Sequence, residues 1–419
     1  MRKLAQVAAV GVATAIVLAG CSTGSPAEEE TGDIRVWLVG TDTPQEARDY
    51  LKETFEEENP GSTLTIEEQQ WTGLVDLLTT SLSSNDSPDI VEVGNTQASA
   101  FTSAGAFLDI SDQYDALGGD DLLPGFVEAG SYDGKFYAAP YYSGARVVFY
   151  NTAQYEEAGV EVPATLDEYV ENAGKLADAL PGVAGVWYPG QDWYNALPFI
   201  WENGGEVAVQ GDDGTWDAQF SSPGSLAGLE QVQQLMESST APKDGDETEL
   251  WVPFREEKAA TISAPSWAYW SIVADEDQAE TALTDTIGYF PLPGKDGGAA
   301  QVFAGGSNIA ISAKSAHPTL AKKALAIIES PGYQEILAGA GLVPALTSLG
   351  DKVAAATPEL ATTIAEAAAG AKLTPASPKW ADVEAARVLQ DFFVQLANGG
   401  DAASLAAELD TKIEDILNG

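Results

Sequence analysis

The residues best equipped for chemistry in this chain are aromatic rings set beside amides and carboxylates. Gln69-Gln70-Trp71 stands at the end of one apolar run, Gly94-Asn95 ends another, and Tyr142 closes a third. A glycine-rich block from Val183 to Phe220 holds four of the ten tryptophans, and Trp187, Tyr188, Asp192, Trp193 and Tyr194 cluster within it. Trp267 follows Ala264-Pro265-Ser266, and Trp380 follows Ser377-Pro378-Lys379 at a predicted helix start. Rings offer apolar faces, while amides and carboxylates offer planar donors and acceptors. Together they suit a ligand with C–H faces and many hydroxyls, the two surfaces that a sugar ring presents. Trp37, Trp201, Trp216, Trp251 and Trp270 read as packing, which is the ordinary role of tryptophan.

Other chemistries lack their parts. One histidine (His317, before Pro318 in a helix-start loop) and one cysteine leave no His/Cys metal cluster. No loop has the spaced Asp/Asn pattern of a hard-cation site, and no phosphate loop or Gly-x-Ser-x-Gly elbow is present. No cofactor or metal is expected. A secreted glycoside hydrolase is the competing class, since it would share the rings and the acids. It needs two carboxylates at a defined separation, and among 64 acidic residues the sequence singles out no pair.

The elements that must position these groups follow from spacing. Ile34 to Val39 has the length of a buried strand. Thr43-Pro44-Gln45-Glu46 then predicts a capped helix start, with Ala47, Tyr50, Leu51 and Phe55 at helical spacing and a stop at Asn59-Pro60-Gly61. A strand around Leu64 to Ile66, a helix from Leu74 to Leu82 and a strand from Asp89 to Val93 complete a βαβαβ pattern, which predicts parallel strands. Trp71 and Asn95 then stand at strand C-termini, where open parallel sheets bind ligands. Further strands are expected over Phe136–Pro140, Arg146–Tyr150 and Ile287–Leu292, with a helix over Thr165–Leu180. Alanine-rich helices finish the chain, around Leu320–Ile328 and Ala381–Leu396.

The N-terminus reads as an export segment. Arg2 and Lys3 precede an apolar run from Val7 to Leu18, which is short of the ~20 residues needed to cross a bilayer. It ends at Leu18-Ala19-Gly20-Cys21, and Cys21 has no partner for a disulfide. This resembles the bacterial lipobox, which implies cleavage after residue 20, lipidation of Cys21 and an extracytoplasmic chain held at the membrane only by lipid. Residues 21–32, with Glu28-Glu29-Glu30, read as a flexible spacer. The net charge of −44 disfavours nucleic acid and anionic lipid surfaces as partners.

The order of landmarks resembles the maltose-binding-like, family-1 solute-binding proteins of ABC importers. Glu53-x-Phe55-Glu56-x-x-Asn59-Pro60-Gly61, Pro88-Asp89-Ile90 and Gly105-x-Phe107-Leu108-Asp109-Ile110 come first. Tyr132-Asp133-Gly134-Lys135-Phe136-Tyr137-Ala138-x-Pro140-Tyr141 is the most specific stretch, continuing through Phe149-Tyr150-Asn151 to Pro163-x-Thr165-Leu166-Asp167-Glu168. Phe254-x-x-Glu257-Lys258-Ala259-Ala260, Trp267 and Ile287-Gly288-x-x-Pro291-Leu292-Pro293-Gly294 follow. Each is a weak signal singly, but they keep the family's order over nearly the whole chain.

The resemblance implies an α/β, two-lobed periplasmic-binding-protein-like fold with crossover hinge strands and a central ligand cleft. The first lobe would take 33–143 plus 305–345, and the second 144–304 plus 346–419. The crossings would fall near Ser143–Val147, Ala300–Gly305 and Val343–Leu346, with Gly144, Gly305 and Gly306 as hinge glycines. By the same pattern Trp267 and Trp380 stack on sugar rings, and Asp192 to Tyr194 supply an acid and an aromatic. The expected ligand set is Gln70, Trp71, Asn95, Tyr142, Trp187, Asp192, Trp193, Trp267, Ser307 and Trp380. Arg146 reads equally as a ligand clamp or a hinge ion pair. The implied role is a monomeric, non-enzymatic receptor that hands a carbohydrate to ABC permease subunits.

Overall fold

Short apolar runs bounded by glycine and proline become the strands that frame the molecule. The structure is a computed structural model and describes residues 31–71, 73–273, 282–353 and 358–419. The expected export segment, Cys21 and the spacer up to Glu30 lie outside the described residues. Nine strands matter for the argument: β1 (Asp33–Val39), β2 (Thr63–Gln69), β3 (Ile90–Gly94), β4 (Ala138–Gly144), β5 (Arg146–Asn151), β6 (Thr261–Pro265), β7 (Ile287–Phe290), β8 (Gly305–Ile311) and β9 (Val343–Pro344).

Six of them form one sheet in the order β9-β4-β8-β3-β1-β2. β1 runs parallel to β2 and to β3, as the βαβαβ pattern predicts, whereas β8 is antiparallel to both β3 and β4. Side chains of β1 alternate between the faces: Ile34, Val36 and Leu38 join one core with Leu51, Phe55 and Tyr141, while Trp37 and Val39 join another with Leu78 and Val93. Burial on both faces is why the run shows no polar alternation. A three-stranded antiparallel sheet, β6-β5-β7, belongs to the second body. Its core gathers Val147 to Phe149, the helix Leu166–Ala179 and the C-terminal helices. The fold is thus two-lobed and α/β.

The chain passes between the sheets at Ala145, since β4 ends at Gly144 and β5 starts at Arg146. It returns at Phe303–Gly305, where Phe303 packs in the second core and β8 begins. The third passage lies later than Val343–Leu346: β9 still pairs with β4, Leu346 packs in the first core, and Val353 packs in the second. Among the three expected hinge glycines, Gly306 is sterically required. Its φ is 142°, and a Cβ there would lie 2.2 Å from the Tyr142 carbonyl oxygen.

Three local expectations need correction. The Thr43 hydroxyl does not cap the first helix (Gln45–Glu58); it lies 2.8 Å from the Tyr141 hydroxyl in the core, and Pro44 precedes the helix. The expected Ala381–Leu396 helix is two, Trp380–Ala385 and Val388–Ala397, because Arg387 adopts a left-handed φ of 55° between them. Trp270 is 45% exposed instead of packed. The expected helix over Thr165–Leu180 is found as Leu166–Ala179, with the Thr165 side chain accepting from Glu168 N–H at its start.

Candidate functional site

The loops that follow β1, β2 and β3 converge with the two crossing points on one cleft of about 410 Å³. Its first wall carries Asp42 after β1, Trp71 after β2, and Asn95, Thr96 and Gln97 after β3. Tyr142 and Gly144 from the end of β4 form the floor with Gly305 and Gly306. Arg146, Tyr194, Glu247, Trp267 and Phe303 form the facing wall, which belongs to the second sheet's body. Sites at parallel-strand C-termini arise because the strands end there while their loops are free to vary.

Trp71 is 42% exposed, yet it is held: Nε1 donates to Asp42 Oδ2 at 3.1 Å. A pinned edge leaves the ring face open on the cleft. Trp267 is half-buried, with Trp251 edge-on behind it at 5.4 Å between centroids. Asn95 is buried and donates its amide to the Ala304 carbonyl, tying the first sheet's loop to the returning crossover.

Beneath the floor lies a hydrogen-bonded cluster of two carboxyl groups and two hydroxyls. The Tyr142 hydroxyl is 3.1 Å from Glu92 Oε1 and 3.3 Å from Asp42 Oδ2, and it can donate to only one at a time. Glu92 is fully buried and also accepts from Ser307 Oγ at 2.6 Å and Val39 N–H at 2.7 Å. Burial pushes its carboxyl up to about 7, opposed by these donors. Burial raises Asp42 too, opposed by its bonds from Trp71 and Tyr142.

On the facing wall, Arg146 Nη2 donates to Glu247 Oε2, and the guanidinium lies 5.4 Å from the Tyr194 ring centroid. Asp192 sits just behind, buried and accepting from the Asn195 amide at 2.6 Å. Its carboxyl is raised by burial and by the charge of Glu247, with Arg146 pulling the other way.

The structure therefore brings Trp71, Asn95, Tyr142 and Trp267 together at the cleft surface. It does not bring the other six expected residues there. Gln70 is exposed beside Trp71 but is absent from the cleft wall. Trp187 lines a separate, much smaller pocket with Tyr169 and Leu235. Asp192 is spent on Asn195, and Ser307 on Glu92. Trp193 is buried under Tyr194, ring centroids 3.9 Å apart, so Tyr194 presents the ring from that segment. Trp380 has no exposed surface: it meets Trp193 at 6.5 Å, and its Nε1 donates to Glu384 at 3.1 Å.

Sequence reasoning missed Asp42, Thr96, Gln97, Glu247 and Phe303. Asp42 carried the same signal as Asn95, a polar residue just past a strand end. Glu247 carried none, because its loop, Asp244 to Glu249, reaches the cleft only through folding.

Known proteins resemble this chain in sequence and in fold. Residues 40–335 match the profile of the bacterial extracellular solute-binding protein family. The diacetylchitobiose binding protein DasA of Streptomyces coelicolor is 32% identical over 401 residues, covering 91% of this chain and 91% of its own. The multiple sugar-binding protein of Streptococcus mutans is 25% identical over 344 residues, 77% of each chain. The crystal structure of the GacH receptor of Streptomyces glaucescens superposes with a TM-score of 0.78 at 21% identity, covering 93% of this chain and 99% of that one. With the family profile spanning most of its length and the two-lobed frame built around the cleft, this chain belongs to the bacterial extracellular solute-binding proteins.

Proposed function

We propose that this chain is the extracytoplasmic, lipid-anchored receptor of an ABC importer, and that it holds a neutral carbohydrate between its lobes for delivery to the permease. The observation that carries the reading is Trp71: a large ring left open on a cleft, with its edge fixed by Asp42 and with Trp267 on the facing wall. Open tryptophan faces flanked by amides and carboxylates match alternating C–H and hydroxyl surfaces. The lobes take 33–144 plus 305–346 and 146–303 plus 353–419, hinged at the crossovers between them, and the receptor acts as a monomer without altering its cargo. Names of relatives support a saccharide, since DasA is named for diacetylchitobiose and the streptococcal protein for multiple sugars.

A thermal-shift panel of N,N′-diacetylchitobiose, cellobiose, maltose and longer homologues tests the reading. A ligand at a hundredfold excess over its Kd adds about 2.7 kcal/mol of stability. One or a few sugars should raise the melting temperature and be recovered intact by chromatography. Cleavage of a stabilising sugar would favour the hydrolase class, and a panel without any shift would sink the carbohydrate reading.

A further inference from the structure

Arg146 opens β5 where the chain enters the second sheet, and only 4% of it is exposed. Nη2 donates to Glu247, whereas Nε and Nη1, both buried, have no hydrogen-bond partner among the described residues. Arg146, Glu247 and Tyr194 all line the cleft. Buried donors are almost always satisfied, because an unmet one forfeits its bonds to water. Two idle donors on one cleft-wall arginine therefore point to acceptors brought by a ligand.

Their positions narrow the acceptor. A guanidinium offers two two-pronged edges, Nε with Nη2 and Nη1 with Nη2, and a carboxylate or phosphate grips one such edge. Glu247 takes one of the two hydrogens on Nη2. The idle nitrogens, Nε and Nη1, share no edge, so their hydrogens point to separate oxygens. Charge selects uncharged ones: Glu247 neutralises Arg146, Asp42 lies on the first wall, and buried Asp192 is close enough to interact with Arg146.

We propose that Arg146 is a specificity-determining donor that reads two separate oxygens, hydroxyl or amide carbonyl, of an uncharged sugar, and that Glu247 masks its charge so that acidic sugars are refused. This rests on the carbohydrate reading above and adds the basis for choosing among carbohydrates.

The test is calorimetric titration of N,N′-diacetylchitobiose, cellobiose, maltose and digalacturonate into the parent protein and into Arg146→Gln, Arg146→Lys and Glu247→Gln, each checked for folding by circular dichroism. The parent should bind at least one neutral probe and take digalacturonate at least tenfold more weakly. Arg146→Gln and Arg146→Lys should both weaken the neutral probe by about ten- to hundredfold, lysine because it keeps charge but not the two placed donors. Glu247→Gln should shift the ratio of affinities toward digalacturonate by tenfold or more. Preference of the parent for digalacturonate, an unchanged ratio in Glu247→Gln, or parental neutral-sugar affinity in both arginine variants would each overturn the proposal alone. Failure of all four saccharides to bind the parent overturns it together with the carbohydrate reading. Should the arginine variants not fold, Glu247→Gln decides the matter by itself.

Discussion

Trp251 meets Trp267 edge to face, with ring centroids 5.4 Å apart and planes at 73°. Trp267 lines the cleft and Trp251 stands behind it, so one ring offers its surface while the other sets its angle.

Removing the offered surface should cost more than removing its support. Trp267→Ala is expected to lose about 1–2 kcal/mol of sugar binding, roughly five- to thirtyfold. Trp251→Ala should cost roughly two- to fivefold, by loosening the ring behind which it packs. Calorimetry on the stabilising sugar separates the two; equal, parental affinity in both variants would remove stacking from the site.

Glu92 makes stability depend on pH. Its carboxyl titrates near 4.5 when unfolded and is pushed up to about 7 when folded. Between those values the folded state holds a proton that the unfolded state has lost, so this contribution is full below about 4.5 and falls as pH rises toward 7. The span corresponds to about 3 kcal/mol. Glu92→Gln cannot titrate, so the stability difference between parent and variant should shift in the variant's favour from pH 5 to pH 7.5. Parallel denaturation curves across that range would contradict the raised carboxyl.

Glu384 joins the lobes. It accepts from Thr96 and Gln97 at 3.0 Å each, both at the start of the helix after β3, while its own helix packs in the second core through Trp380 and Val383. Glu384→Ala and Gln97→Leu should each open the unliganded protein, seen as a larger radius of gyration by small-angle scattering. Profiles superimposable on the parent's would show that these bonds do not hold the lobes.

The anchor is tested at one atom. Cys21→Ser should leave the protein folded and release it into the medium. Retention of the variant in washed membranes would count against lipidation.

Much of the frame was legible in the residues. The β1 to β3 strands, the helix beginning near Thr165 and the order of family landmarks all follow from local spacing, because strand length and helical periodicity act within a few residues. Trp71, Asn95 and Tyr142 could be picked out for the same reason: each ends a run that reads as a strand, and strand ends are where such sheets place their loops.

Tertiary structure alone decided which rings see the cleft. Trp193 and Tyr194 are neighbours in sequence with equal claims, yet one lies buried beneath the other. Trp380 follows the same kind of proline turn as Trp267, but it packs on Trp193 and gives its indole N–H to Glu384. Arg146 and Glu247 stand about a hundred residues apart and form a pair that no local pattern encodes. Composition and spacing determine that a chain has aromatic and charged groups at loop ends; which of them face outward depends on what the rest of the chain packs against them, a property of long-range contact that sequence neighbours do not carry.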